Sequence, residues 1–199
     1  MLYKFFVAVL CLAALPLQIL IAVLLVVSSG VPILFVQKRV GKKGRIFVMY
    51  KFRTMRPGAA AKQSSLRPLN ESDGPTFKIH HDPRFTPIGR FLSHTGLDEL
   101  PQLWNVLRGE MGLIGPRPLP SAEAAKLAPW MRARHTVAPG IISPAILSGN
   151  YHTNFTAWMR SDVAYAKKKN LRTDVLLLVR GIVFLGRLFM GEIRSLLRA

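Results

Sequence analysis

Asp98 and Glu99 are the only two acids that sit side by side in this 199-residue chain. Ten Asp and Glu stand against twenty-eight Lys and Arg, a formal net charge of +18. Adjacent carboxylates in a basic chain can hold a hard divalent cation or supply a nucleophile toward phosphorus. They can also start a helix, by capping free N–H groups and complementing the helix dipole. The pair is followed by Leu100-Pro101-Gln102-Leu103-Trp104, and proline is tolerated only in the first turn of a helix. The spacing therefore predicts a helix from about Asp98 to Leu107, closed by Arg108-Gly109. At its start, one geometry would serve both cap and chemistry, because phosphates bind where helix N–H groups are free. Nearby cations would stabilise a phosphoryl group in transfer.

Other residue types bound the chemistry. The single cysteine, Cys11, excludes a disulfide framework and a cysteine-based metal site. His80 and His81 are adjacent and so point different ways, a poor arrangement for chelating one ion without further ligands. His135 reads as structural, and His152, in a polar loop, carries no assignment. Trp104, Trp130 and Trp158 read as core or interface aromatics. The excess of cations implies an anionic partner: a phosphorylated substrate, an acidic membrane surface or nucleic acid.

The elements that must position these residues begin with an apolar run over residues 5–27, interrupted only by Gln18 and Pro16. It exceeds the roughly 20 residues a helix needs to cross a hydrocarbon core, and it is too long for a signal peptide. Pro16 predicts a kink or break, which suits either a spanning helix or a segment that returns to the same face. Lys38, Arg39, Lys42, Lys43 and Arg45 follow it closely, so the positive-inside bias places the body in the cytoplasm.

Two β-like runs, Ile33 to Val36 and Ile46 to Tyr50, flank Gly41-Lys42-Lys43-Gly44 and predict a hairpin. The second continues into Lys51-Phe52-Arg53-Thr54-Met55, where cations alternate with apolar residues. Lys51 and Arg53 then face phosphates, lipid headgroups or plain solvent. Residues 56–75 read as a loop or lid, 84–95 as a short helix after Pro87, and 121–134 as a further helix. The run 171–198 reads as an interfacial helix, with Arg180, Arg187, Arg194 and Arg198 on one stripe beside a wide apolar face. A core helix with solvated arginines is the plain alternative.

The stretch from Leu97 to Met111, with Gly115-Pro116-Arg117-Pro118 after it, resembles the core of the bacterial sugar transferase family. These are the monotopic phosphoglycosyl transferases that begin polyprenyl-linked glycan assembly. Gln37-x-Arg39-x-Gly41, Lys51 to Met55, Asp82-Pro83-Arg84 and the proline-bearing apolar segment match further family elements. The resemblance implies an α/β, mostly helical fold: a re-entrant membrane helix at 1–30 broken at Pro16, and a catalytic domain at 31–199 with a short hairpin and interfacial amphipathic helices, the last at about 171–198. It implies that Asp98 takes a phosphosugar from a UDP-sugar, releases UMP, and passes the phosphosugar to polyprenyl (undecaprenyl) phosphate. Mg²⁺ would lie on Asp98 and Glu99, with Glu99 aiding metal binding or the second attack, and Arg117 would contact nucleotide or phosphate. Ser93 stands where the family has a basic residue and Gly96 where it has serine, so Arg84 or Arg90 would replace the missing cation. Residues 142–149 also depart from the family segment, which leaves the sugar open.

The implied place is the cytoplasmic face of a bacterial inner membrane, with membrane lipids as partners, no nucleic acid, and homo-oligomerisation left open. Two rivals remain: a membrane-anchored basic protein for anionic lipid or nucleic acid, and a family member that binds substrate without turning it over.

Overall fold

The chain opens with one long helix, α1 (Leu2–Ser29), in the computed structural model, which describes residues 2–148 and 154–198. Its inward stripe is Val7, Cys11, Ala14, Gln18, Ile21 and Leu25, spaced alternately four and three residues apart, as one helix face requires. Pro16 lies on the exposed side and does not end the helix, so the break expected there is not formed. The remaining faces carry exposed Phe5, Leu12, Leu15, Ile19, Leu20, Val23 and Val27.

The predicted hairpin is present and longer than its apolar runs. Strands β1 (Leu34–Val40) and β2 (Ile46–Phe52) pair antiparallel from Leu34↔Phe52 to Val40↔Ile46. The turn between them is a 3-10 turn in which Gly44 holds φ 76, a left-handed conformation that suits glycine. Phe47 and Met49 of β2 are buried, and by strand alternation Lys51 falls on their side.

Helix α2 (Pro87–Thr95) starts as its sequence predicts: Pro87 fills the first turn and Thr86 Oγ1 accepts from Gly89 N at 3.0 Å. Then follow α3 (Gln102–Leu107), β3 (Gly112–Ile114), β4 (Leu119–Pro120), α4 (Ser121–Ala124), β5 (Gly140–Ile142) and α5 (Pro144–Leu147), with α6 (Phe155–Lys168) and α7 (Leu171–Leu196) closing the chain. β4 adds to the hairpin in the order β2-β1-β4, and β3 pairs in parallel with β5. Among the described residues the fold is thus mostly helical with two small sheets. The helix expected over 121–134 is only the single turn α4. Leu127 turns into the core, and Pro129 opens a 3-10 stretch over Pro129–Thr136. Residues 56–75 form the expected loop, carrying two 3-10 turns, and Asp73 ties it to α6 by accepting from Phe155 N at 2.7 Å.

Both ends of α1 pack on this body. Val7 and Cys11 join Phe47, Met49, Val106 and Met111. Ile21 and Leu25 join Phe52 and Leu92. Near the start of the helix, Leu113 N donates to the Tyr3 hydroxyl at 3.1 Å.

Candidate active site

Gly96 ends α2 with φ 75, and the chain then winds through a 3-10 turn, Leu97–Glu99, before α3 begins at Gln102. Pro101 has no N–H to give to Leu97, and the backbone here closes in i→i+3 bonds instead, Glu99 N donating to Gly96 O at 3.1 Å and Leu100 N to Leu97 O at 3.3 Å. Accordingly neither acid caps a helix: no side chain caps the 3-10 turn or α3. The turn instead tucks Asp98 inward, 4% exposed.

Lys51 meets both carboxylates. Its Nζ lies 3.2 Å from Asp98 Oδ2 and 2.6 Å from Glu99 Oε1. Arg117 Nη1 lies 2.9 Å from the same Glu99 oxygen. This meeting is set by Asn105, fully buried on α3, which accepts from Tyr50 N at 3.3 Å and donates to Val48 O at 2.7 Å. Asn105 thereby bonds β2 as a neighbouring strand would, and fixes α3 against the strand that delivers Lys51.

The two acids are held differently. Burial pushes the Asp98 carboxyl above its ordinary value; Lys51 opposes the shift and the charge of Glu99 adds to it. Burial also pushes Glu99 up, but Arg117 and Lys51 outweigh it and hold that carboxyl at about 2. Neighbouring carboxylates driven apart in this way are suited to different roles, one as a charged anchor and the other as the more basic oxygen.

Lys78 is a cation that sequence reasoning passed over. Burial draws its pKa down, the positive fields of Arg117 and Lys51 add to that, and Asp98 and Asp82 oppose it. It belongs to the same cluster of charge. The segment that carries it is held by Asn70 Oδ1, which accepts from Lys78 N at 2.7 Å. Its only sequence signal was a cation between apolar neighbours, Phe77 and Ile79.

The structure thus brings together Asp98, Glu99, Lys51 and Arg117, and places the other predicted cations elsewhere. Arg53 donates to the carbonyls of Ser29, Gly30 and Val31, closing the C-terminus of α1. Arg84 is buried, forked onto Asp82, bonded to Ala59 O at 3.1 Å and laid over the Phe77 ring at 5.1 Å. It braces the Lys78 segment from behind. Arg90 is exposed on α2, with no hydrogen bond or ion pair to the two acids among the described residues. His80 stacks on His94, whose Nδ1 lies 2.8 Å from Glu192 Oε1 on α7. Burial and Arg134 hold His135 down at about 4. His152 lies outside the described residues. Trp158 is buried, whereas Trp104 and Trp130 are exposed and so are not core aromatics.

Among the described residues no group of three or more His, Cys, Asp or Glu could hold a metal by itself. Asp98 and Glu99 are nonetheless hard oxygen ligands of the kind Mg²⁺ takes one or two at a time, leaving its other positions to phosphate oxygens and water. The donor set fits a cation that arrives with a diphosphate.

Residues 2–187 match the family model described as bacterial sugar transferase, and the chain belongs to that family. It is 40% identical over 162 residues to the galactosyl transferase CpsE of Streptococcus agalactiae serotype III, covering 80% of this chain and 36% of that protein. It is 35% identical over 162 residues to the undecaprenyl-phosphate galactose phosphotransferase of Salmonella typhimurium, covering 78% and 33%. It is 39% identical over 147 residues to the undecaprenyl-phosphate glucose phosphotransferase of Komagataeibacter xylinus, covering 71% and 26%. The chain spans about a third of the length of these curated relatives.

Proposed function

We propose that this chain transfers a sugar phosphate from a UDP-sugar to polyprenyl phosphate through a covalent intermediate on Asp98. The observation that carries this reading is the Asp98–Glu99 pair itself, with Asp98 buried, Lys51 Nζ 3.2 Å from Asp98 Oδ2 and 2.6 Å from Glu99 Oε1, and Arg117 Nη1 2.9 Å from the same Glu99 oxygen. A carboxylate oxygen of Asp98 attacks the β-phosphorus, and the bond from that phosphorus to the UMP oxygen breaks. UMP leaves with the bonding pair, and an acyl phosphate carrying the sugar remains. An oxygen of polyprenyl phosphate then attacks the same phosphorus, and the acyl–phosphate bond breaks to restore the Asp98 carboxylate. Burial raises the basicity of the attacking oxygen, and Lys51, Arg117 and Lys78 neutralise charge on the diphosphate. Asp98 and Glu99 would hold Mg²⁺ when it is bound, where it would neutralise further charge on the diphosphate and the departing UMP.

The same reading places the protein on one face of a bilayer. The exposed apolar side of α1 is continuous in chemistry with exposed Phe35 and Val36 of β1 and Val175, Val179, Ile182 and Phe189 of α7. A spanning α1 would carry its first turns to the far leaflet. Here Tyr3, Val7 and Cys11 bind the same body as Leu25, which supports a segment that stays with one leaflet, on the cytoplasmic side by the charge bias.

Asp98→Asn is expected to lower UMP release from UDP-sugars by at least about 10³-fold and to leave membrane association intact. Mass spectrometry of the unaltered chain should find a phosphosugar on Asp98; normal turnover in the variant would defeat the nucleophile assignment. EDTA is expected to stop UMP release and Mg²⁺ to restore it.

A further inference from the structure

The Pro116-Arg117-Pro118 turn has a particular deficit. Its prolines have no N–H, so the turn cannot be stitched together by its own backbone donors. Three successive carbonyls are instead each held by a different element. Pro116 O accepts from Gly140 N of β5 at 3.0 Å, and Pro118 O accepts from Arg39 Nη1 of β1 at 2.9 Å. Between them, Arg117 O accepts from Arg134 Nη2 at 2.6 Å.

Arg134 is an unusual residue to find there. It is 1% exposed, and its Nε and Nη2 are also bonded to Asp162 Oδ2, on a residue that is 0% exposed. Asp162 is itself held by Trp158 Nε1 at 2.9 Å and faces Ser143 Oγ at 3.5 Å. A buried ion pair contributes little net stability over well-packed apolar residues of the same size. What an apolar replacement could not do is donate to a carbonyl in a turn that lacks donors of its own.

We propose that the buried Arg134–Asp162 pair is a positioning device that holds Arg117 O, and through it aims the Arg117 guanidinium at Glu99 and at the diphosphate of the donor. The inference rests on the reading of Arg117 as a donor contact, and it adds two residues, far from the acids in sequence, that set where that contact sits. Asp162 orients the Arg134 fork, Arg134 fixes the carbonyl, and the guanidinium of Arg117 then has one approach to Glu99 Oε1, at 2.9 Å.

The test uses Arg134→Lys, which keeps a charge beside Asp162 but has one nitrogen in place of a fork, and Asp162→Asn, nearly isosteric, as a second variant that retains Arg134. Hydrogen exchange on the full chain should quicken about tenfold across residues 112–118 and 140–142 in Arg134→Lys, less in Asp162→Asn, and stay unchanged in the β1–β2 hairpin. Unchanged exchange in the turn overturns the proposal whatever the substrates do. In UMP-release kinetics, Arg134→Lys should raise KM for the UDP-sugar about tenfold with a smaller change in kcat. In an Arg117→Ala background the same change should alter KM less than about twofold, since the contact it positions is already gone. Equal factors in both backgrounds would reveal a general packing role and overturn the proposal. If the unaltered chain releases no UMP from any UDP-sugar, the proposed function fails while the exchange result still decides the positioning role.

Discussion

At Asp98 and Glu99 burial acts on both carboxyls, and the difference between them comes from which cations reach which oxygen. Glu99 has two close partners and is held at about 2, below its ordinary 4.5. A depressed carboxyl contributes stability above its unfolded value and loses it as pH falls through the folded one. Glu99→Gln should therefore melt lower than the unaltered chain at neutral pH, with the gap closing between pH 4.5 and about 2. Asp98 is raised, so its ionisation works against the fold as pH rises. Part of that rise is the charge of Glu99. Single-turnover UMP release in Glu99→Gln should accordingly show its acid limb displaced to lower pH. Lys51→Met, which removes a counter-charge from Asp98, should displace it upward. Limbs that move the other way would reverse the roles given to the pair.

Between elements, two side chains do what a continuous sheet would otherwise do. Asn105 joins α3 to β2, and Arg53 closes the end of α1. Asn105→Ala would leave Tyr50 N and Val48 O without their partner and should cost about 1–3 kcal/mol in a detergent thermal melt. UMP release should fall as well, because Lys51 would no longer be held over the acids. The hairpin and α7 were legible in the sequence, since Gly-rich turns, alternation and helical stripes are local signals. The approach to the acids was misread as a helix cap. The backbone instead leaves α2 through Gly96 at φ 75 and winds a 3-10 turn ahead of Pro101, and Gly96 suits that backbone where a serine would be strained. Lys78, Asn105 and Arg134 were not legible as site residues, because each acts on a partner at least seventeen residues away in the chain, such as Arg134 on Arg117. Arg53 and Arg84 were legible as functional cations by motif, yet in the fold they are spent on carbonyls and on Asp82.

For the whole molecule, the proposed membrane seat would combine the +18 charge with the exposed apolar faces of α1 and α7. Binding to anionic vesicles should weaken with salt without being abolished, because the charge is screened over about 8–10 Å at 0.1–0.15 M salt while apolar insertion is not. With Cys11→Ser as background, a cysteine introduced at Leu2 should react with an impermeant thiol reagent only from the side that carries the body. Labelling from the opposite side would mean that α1 spans.

The packing of α1 bears on how this protein can change over time. Leu25 touches the cluster behind Phe52, and Val7 touches the one around Met49 and Val106, so the helix walls the strand and the helix that bring Lys51 to Asp98. A helix that only tethered the protein could be exchanged for another of equal length when lipid composition or bilayer thickness shifts. This one could be altered freely on its outward residues alone. On the proposed reading, adaptation to a new membrane and preservation of the spacing between Lys51 and Asp98 would be written on opposite faces of the same 28 residues.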